Sequence, residues 1–258
     1  MSEPIRVTLV AKAGVLLEYR GRRLLLDGLY HIDDHEGNPF SNIPREQRSA
    51  LLSGYPPFQG DIDCLLFTHS HPDHFSPALA EAYLKKRSVQ AVFLPPDDGG
   101  QSALRALLQS RNTPFISLED AVSGCPIPLE DGITVTPYRT RHVDKAFWDI
   151  PHYCYLLSFG DKKLLFTADV DYTYETFPQL KSVQLTALFI NPLFFGALLY
   201  SRFFKGELHA ENVCIYHVPF PEDDRMHYRD LLQQRITRWS PERGKLISLE
   251  YSGQSFFL

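Results

Sequence analysis

His69-Ser70-His71-Pro72-Asp73-His74 places four potential metal ligands within six residues, directly after the apolar run Cys64-Leu65-Leu66-Phe67. The apolar run predicts a buried strand, and a strand end is a firm support for side chains that must hold an ion. Imidazole and carboxylate are ligands that zinc, manganese and iron favour. This segment, called the hexad below, therefore predicts a metal site, and we expect it to supply half of a two-metal hydrolytic centre.

Four more candidate ligands stand at the ends of predicted strands. Each follows an apolar or β-rich run, and the four are Asp27, His142, Asp169 and His217. Because strand ends can meet at one edge of a sheet, all four could converge with the hexad. The chain has more predicted strands than helices, and several strands pair as hairpins. This pattern predicts an α/β sandwich of two mixed sheets with outer helices.

The order of these residues resembles the metallo-β-lactamase superfamily. Its members carry, in sequence, a strand-end Asp, an HxHxDH segment, a lone His, a lone Asp and a final His. The resemblance spans residues 27 to 217, and the hexad is its most specific element. It implies the metallo-β-lactamase fold, a four-layer αββα sandwich of two mixed β-sheets. Within the superfamily, the chain looks most like the lactonase-type hydrolases and their uncharacterised relatives.

The resemblance also implies a role for each ligand. One metal would be bound by His69, His71 and His142, and the other by Asp73, His74 and His217. Asp169 would bridge the two metals. Asp27 would bind no metal but would accept a hydrogen bond from a ligand histidine and so fix its tautomer. Ala168 stands where the family often has glycine, a small departure because the position needs mainly a small residue.

Two divalent ions roughly 3.5–4 Å apart can share a water and lower its pKa from near 15.7 toward about 7. The resemblance therefore implies hydrolysis by a metal-bridging hydroxide. Asp73 is expected to act as a ligand first and as a proton acceptor second. Zinc suits the ligand set best, and manganese or iron is compatible with it. The expected substrate is a small, anionic metabolite with a lactone, phosphodiester or other ester bond.

Substrate contacts are predicted outside the ligand set. Residues 29 to 60 form a long insertion rich in Pro, Gly, Asn and aromatic residues, which favours a lid that carries Tyr55. Arg141, beside His142, could clamp a phosphate or carboxylate, although a charge facing water at a sheet edge explains it equally well. His152 precedes a strand and could reach the pocket.

Three assignments stay open at this point. His31 and His35 could bind a third metal or stand in a solvated loop. His209 competes with His217 for the last ligand position, and the apolar strand before His217 favours the latter. The aromatic segment 189–204 could be core, a pocket wall or a dimer contact, so a homo-oligomer also stays open.

Composition narrows the class of protein. The 258 residues include no linker or low-complexity tract, which predicts a single domain over 1–258. Four scattered cysteines and the lack of a recognisable leader indicate a cytoplasmic protein. No apolar segment is long enough to span a membrane. The net charge of −5 and the scattered basic residues disfavour nucleic acid as a partner, so we expect a small-molecule substrate.

Two alternatives remain. The first is a nuclease or phosphodiesterase that resembles the tRNA 3′-processing branch of the same superfamily. The second, from a different class, is a metal-loaded binding or sensor module that holds a ligand without turnover.

Overall fold

The structure is a computed structural model that describes residues 3–32, 41–200 and 206–258. Contacts within the chain divide it into two compact units. The N-terminal unit comprises Glu3–Ala121 and Tyr251–Phe257, and the C-terminal unit comprises Val122–Glu250 and Leu258. Each unit is built on one seven-stranded mixed sheet. The expected single domain stays a prediction.

The described residues form fourteen β-strands and five α-helices. The strands are β1 (Arg6–Leu9), β2 (Val15–Tyr19), β3 (Arg22–Leu26), β4 (Cys64–Leu66), β5 (Ala91–Leu94), β6 (Phe115–Ser117), β7 (Ile127–Pro128), β8 (Ile133–Thr140), β9 (His152–Phe159), β10 (Lys162–Phe166), β11 (Gln184–Ile190), β12 (His209–Ile215), β13 (Lys245–Ser248) and β14 (Ser255–Phe257). The helices are α1 (Arg45–Ser53), α2 (Pro77–Lys86), α3 (Ser102–Ser110), α4 (Pro192–Tyr200) and α5 (Tyr228–Ile236). No helix in the described ranges is long and apolar enough to cross a membrane.

The sheet of the N-terminal unit has the strand order β14-β1-β2-β3-β4-β5-β6. Its first four strands are antiparallel neighbours, whereas β3, β4, β5 and β6 run parallel. Since β3 and β4 point the same way, Asp27 and the segment that leads into the hexad leave the sheet at the same edge. The backbone N–H of Asp27 continues the pairing by donating to Leu66 O at 2.9 Å.

The sheet of the C-terminal unit has the strand order β13-β12-β11-β10-β9-β8-β7. Strands β10 to β13 are parallel, and β7 to β10 alternate in direction, so β8 points the same way as β10. The residues that follow β8, β10, β11 and β12 therefore lie at one edge of this sheet. These residues include His142, Asp169, Asn191 and His217.

Two helices, α1 and α4, were not predicted from the sequence. Helix α1 lies inside the insertion 29–60, and its sequence is polar, with Leu51 as its only buried residue, so apolar periodicity did not reveal it. Residues 33–40 of that insertion lie outside the described residues, and the lid stays a prediction. Helix α4 lies in the aromatic segment 189–204, where buried Phe194 and Phe195 support the core interpretation. Residues 201–205 are also outside the described ranges.

Three of the four cysteines lie in strands. Cys64, Cys154 and Cys214 are buried, and burial raises the pKa of each thiol well above its usual range. Cys125 is exposed. Because the thiolate is the reactive species, we expect Ellman's reagent to modify one thiol per chain in the native protein and all four in denaturant. Cys125→Ser should remove the native reaction; a second fast thiol in that variant would contradict the burial.

Candidate metal centre

Asp27 organises the histidines of the N-terminal unit. Its carboxylate is fully buried and accepts hydrogen bonds from the backbone N–H of Thr68 at 2.8 Å and from the Thr68 hydroxyl at 2.7 Å. His74 Nδ1 lies 2.8 Å from Asp27 Oδ2. Because a carboxylate can only accept, Nδ1 of His74 carries the proton and its Nε2 is left available to an ion.

Thr68 extends the same control to His69. The hydroxyl proton of Thr68 is directed to Asp27, so its oxygen accepts from His69 Nδ1 at 3.0 Å. This leaves Nε2 of His69 unprotonated, and that atom lies 3.0 Å from Nδ1 of His71. The hydrogen bonds of the hexad therefore leave Nε2 unprotonated in two of its imidazoles, so that each can bind a metal ion through this atom. Thr68 is not among the residues predicted from the sequence, because its role depends on a contact with Asp27, which lies 41 residues earlier in the chain.

A helix begins directly after the hexad. The backbone N–H groups of His74 and Phe75 both donate to His71 O, which closes a tight turn. Ser76 then caps α2 by accepting from the N–H of Leu79 at 3.2 Å, and Pro77 occupies the first helical position, which suits proline because it has no N–H.

A buried lysine contacts the aspartate of the hexad. Lys12 Nζ donates to Asp73 Oδ2 at 2.6 Å, and the two side chains are 1% and 5% exposed. The same Oδ2 lies 3.7 Å from Nε2 of His74. Lys12 is not among the predicted site residues, although its charge stands alone within the small, apolar run Val10-Ala11-Lys12-Ala13-Gly14 and could have indicated it.

The candidate ligands of the C-terminal unit are held by two joined loops. The N–H of Val143 donates to Asp169 O, and the N–H of Asp171 donates to Arg141 O, both at 2.7 Å. Asp169 Oδ2 lies 3.8 Å from His142 Nε2 and 3.6 Å from His217 Nε2. One carboxylate oxygen thus faces two imidazoles, which is the arrangement expected of a ligand shared between ions.

The ring of His142 has a second partner. Its Nδ1 accepts the backbone N–H of Asp144 at 3.0 Å, so the neutral ring carries its proton on Nε2. To bind an ion through Nε2, His142 must therefore give up this hydrogen bond.

The backbone at Ala168 has a conformation that glycine adopts readily. Ala168 has φ +45°, in the left-handed region, and its side chain is fully buried. Its N–H donates to the hydroxyl of Tyr216 at 3.0 Å, and its carbonyl accepts from Asn191 Nδ2, also at 3.0 Å. Asn191 Nδ2 also lies 3.2 Å from Asp169 Oδ1. These bonds hold the turn that aims the Asp169 carboxylate.

His152 was predicted as a substrate contact, and that contact stays a prediction. Its side chain is fully buried, as are those of His69 and His74. Its Nε2 accepts the backbone N–H of Asp169 at 3.1 Å, and its Nδ1 lies 2.7 Å from the hydroxyl of Thr140. His152 is thus a neutral ring, protonated on Nδ1, that fixes the backbone of Asp169.

Arg141, the predicted anion clamp, is engaged within the unit. It donates through Nε to Asp171 Oδ2 at 2.9 Å, and its guanidinium lies 3.9 and 4.0 Å from the ring centres of Trp148 and Tyr174. Burial acts to raise the pKa of Asp171, but hydrogen bonds from Thr173 and Arg141 outweigh it and leave the pKa below its usual value. The charge of Arg141 is therefore already paired.

The remaining candidates are mostly at the surface. Tyr55 is 67% exposed just beyond α1, and its contact with substrate stays a prediction. His31 lies 3.2 Å from Arg48 at the surface, and His35 lies outside the described residues. His209 begins β12 and is exposed, whereas His217 follows the other end of that strand and faces Asp169.

Comparison with known proteins identifies the fold. No family model and no curated protein matches the chain. Among solved structures, it is similar to Igni18, a metallo hydrolase from Ignicoccus hospitalis KIN4/I, with a TM-score of 0.61 and 15% identity over 99% of both chains. It is also similar to YhfI from Bacillus subtilis, a metallo-beta-lactamase fold protein, with a TM-score of 0.59 and 16% identity over 99% of this chain and 100% of that one.

A third similar structure has a different activity. CmlA, a diiron beta-hydroxylase from Streptomyces venezuelae, gives a TM-score of 0.59 and 18% identity. The match covers all of this chain but 54% of CmlA, so the chain spans about half of that protein. These likenesses confirm the predicted fold class: the chain has the α/β metallo-β-lactamase fold.

Proposed function

We propose that this protein is a metal-dependent hydrolase with a dinuclear centre that acts on an ester bond of a small metabolite. One observation carries the proposal: at the strand-end edge of the N-terminal unit's sheet, the buried Asp27 and Thr68 leave Nε2 of His74 and His69 unprotonated. A solvated or purely structural cluster has no need of tautomers fixed in this way. The fold and the metallo hydrolase activity named for Igni18 support the same conclusion.

The proposed ligands are those that the order of the sequence motifs implies. The first ion would be held by His69, His71 and His142, the second by Asp73, His74 and His217, and both by Asp169. Imidazole and carboxylate donors in these numbers suit divalent zinc, manganese or iron. The diiron centre of CmlA is consistent with iron on this fold. When bound, two such ions activate water as a nucleophile and polarise the substrate oxygen.

The residues of the chain supply orientation and proton control. Asp27 and Thr68 keep Nε2 of His74 and His69 free of protons, so metal binding does not have to displace a proton there. His152 and Asn191 fix Asp169 from its two sides, through the backbone N–H and the carboxylate. Asp73 is the proposed proton acceptor during turnover, because a carboxylate is the ligand type that can also take up a proton.

We also propose that the substrate is anionic, but Arg141 is not the residue that we expect to bind its charge. That guanidinium is paired with Asp171, whereas Lys145, three residues after His142, is exposed. Phe147, Trp148 and Tyr174 are also exposed large side chains; Phe147 lies against His142, and the other two lie against Arg141. We propose that Lys145 contacts the substrate's negative charge and that these rings contact its apolar part.

The proposal is tested by metal content measured together with turnover. Protein purified without chelator should contain about two divalent ions per chain by mass spectrometry and should hydrolyse a member of a panel of lactones and phosphodiesters. His71→Ala should lower both the metal content and the rate. His227→Ala is the matched control, because His227 is an exposed surface histidine and its loss should change neither value. A folded wild-type protein that binds no metal would sink the proposal.

The same measurements separate the alternatives. A nuclease should cleave generic phosphodiesters and bind RNA with an affinity that falls steeply as salt increases. A binding or sensor module should carry the metals yet turn over nothing in the panel. Hydrolysis of a lactone without RNA binding would leave the metabolite hydrolase as the surviving proposal.

A further inference from the structure

Lys12 is an unusual residue for the interior of a protein. It lies between β1 and β2 in a tight turn, where the N–H of Val10 donates to Gly14 O at 2.8 Å, and its side chain is 1% exposed. Lysine is almost never fully buried unless its charge is paired. Here the pairing carboxylate is Asp73, at 2.6 Å, which is one of the proposed metal ligands.

The lysine and the proposed ion would share one oxygen. Asp73 Oδ2 accepts from Lys12 and also lies 3.7 Å from Nε2 of His74. Two ligand atoms about 2.1 Å from one tetrahedral ion are roughly 3.4 Å apart, so Oδ2 is the oxygen placed to bind an ion together with His74. The ammonium group of Lys12 therefore contacts the same oxygen that would bind the ion.

We propose that Lys12 is an internal counter-cation of Asp73 that balances this carboxylate in the metal-free protein and lowers the affinity of the second metal. Without a partner, the buried carboxylate would be strongly unfavourable in the metal-free state. With a divalent ion beside Asp73, the nearby ammonium group repels the ion and withdraws electron density from their shared oxygen. Lys12 is thus a positioning residue that acts through Asp73, and this role rests on the proposed metal centre.

The test compares Lys12→Met with wild type by two measurements. Thermal unfolding of the chelator-treated protein should occur at a lower temperature in the variant, because Asp73 loses its partner. Titration with zinc against a chromophoric chelator should show the second ion bound about 10- to 100-fold more tightly, the scale of effects that outer partners exert, with the first ion little changed. Lys85→Met is the matched control, since it removes the same side chain from an exposed site on α2.

A double variant protects the test against a folding defect. In Lys12→Met/Asp73→Asn both charges are gone, so the metal-free protein should regain much of the stability that the single variant loses. An unchanged or weaker second site in Lys12→Met would overturn the proposed role and leave Lys12 purely structural. Titration of the wild-type protein tests the metal centre separately. Two zinc equivalents bound per chain would support the metal centre, whereas no bound zinc would overturn both the metal centre and the role of Lys12.

Discussion

Asp169→Ala will abolish turnover and remove most of the bound metal while the C-terminal unit stays folded. Asp169 Oδ2 faces Nε2 of both His142 and His217, so its loss removes the one proposed ligand that contacts both ions. The drop in metal affinity should exceed the roughly 10- to 100-fold that loss of an outer hydrogen-bond partner causes. Metal analysis and kcat/KM on the substrate found in the panel measure the two effects.

The fold is expected to survive this substitution, because Asp169 follows β10 and is not part of a ladder. Circular dichroism and thermal unfolding of the metal-free proteins check this directly. Asp161→Ala serves as the control, since Asp161 is an exposed aspartate of the same unit, in the turn between β9 and β10. Wild-type turnover by purified Asp169→Ala would rule out the proposed mechanism.

The sequence predicted the fold and the candidate ligands because both are local patterns. An apolar run followed by His or Asp can be read without knowing any distant partner, as at Cys64–Leu66 and the hexad. The solved structures confirm the fold class, and the structure puts Asp27, Asp169 and His217 at strand-end edges of their sheets. Their role as ligands, or as partners of ligands, stays a prediction.

Partners distant in sequence could not be predicted in the same way. Lys12 and Asp73 are separated by 61 residues, and Arg141 and Asp171 by 30. Arg141 remained a candidate for binding a substrate anion because its partner, Asp171, lies 30 residues further along the chain. His152 likewise reads as a polar residue at a strand start until its contact with the backbone of Asp169 is known.

Backbone conformation is the other feature that local patterns hid. Asp27, Ala168 and His217 all have positive φ, between +45° and +61°. Each stands where the chain leaves a strand for a candidate cluster, and such conformations disfavour a non-glycine residue by about 1–3 kcal/mol. The buried hydrogen bonds of Asp27 and of Ala168 stabilise these conformations and offset part of that free energy. At these three positions the unfavourable backbone conformation occurs where a side chain must be aimed, although other loops of the chain also contain positive φ.

Asp27→Asn should weaken the second metal site by roughly 10- to 100-fold with little change in volume. An asparagine can still accept the N–H of Thr68 through its oxygen, but its amide group then presents N–H to His74 Nδ1. The histidine must respond by carrying its proton on Nε2, the atom proposed to bind metal. Loss of the Thr68 hydroxyl bond would also release the tautomer of His69.

Asp63→Asn is the matched control for this prediction. Asp63 accepts three hydrogen bonds in the same unit, from the Arg23 N–H, Arg22 Nη1 and Gln90 Nε2, but it precedes β4, whereas Asp27 follows β3. Both substitutions perturb a carboxylate that accepts several hydrogen bonds, so both should lower thermal stability. Only Asp27→Asn should weaken the second zinc equivalent in the chelator titration. If both variants bind two ions as wild type does, Asp27 stabilises the sheet edge and does not control the histidine tautomers.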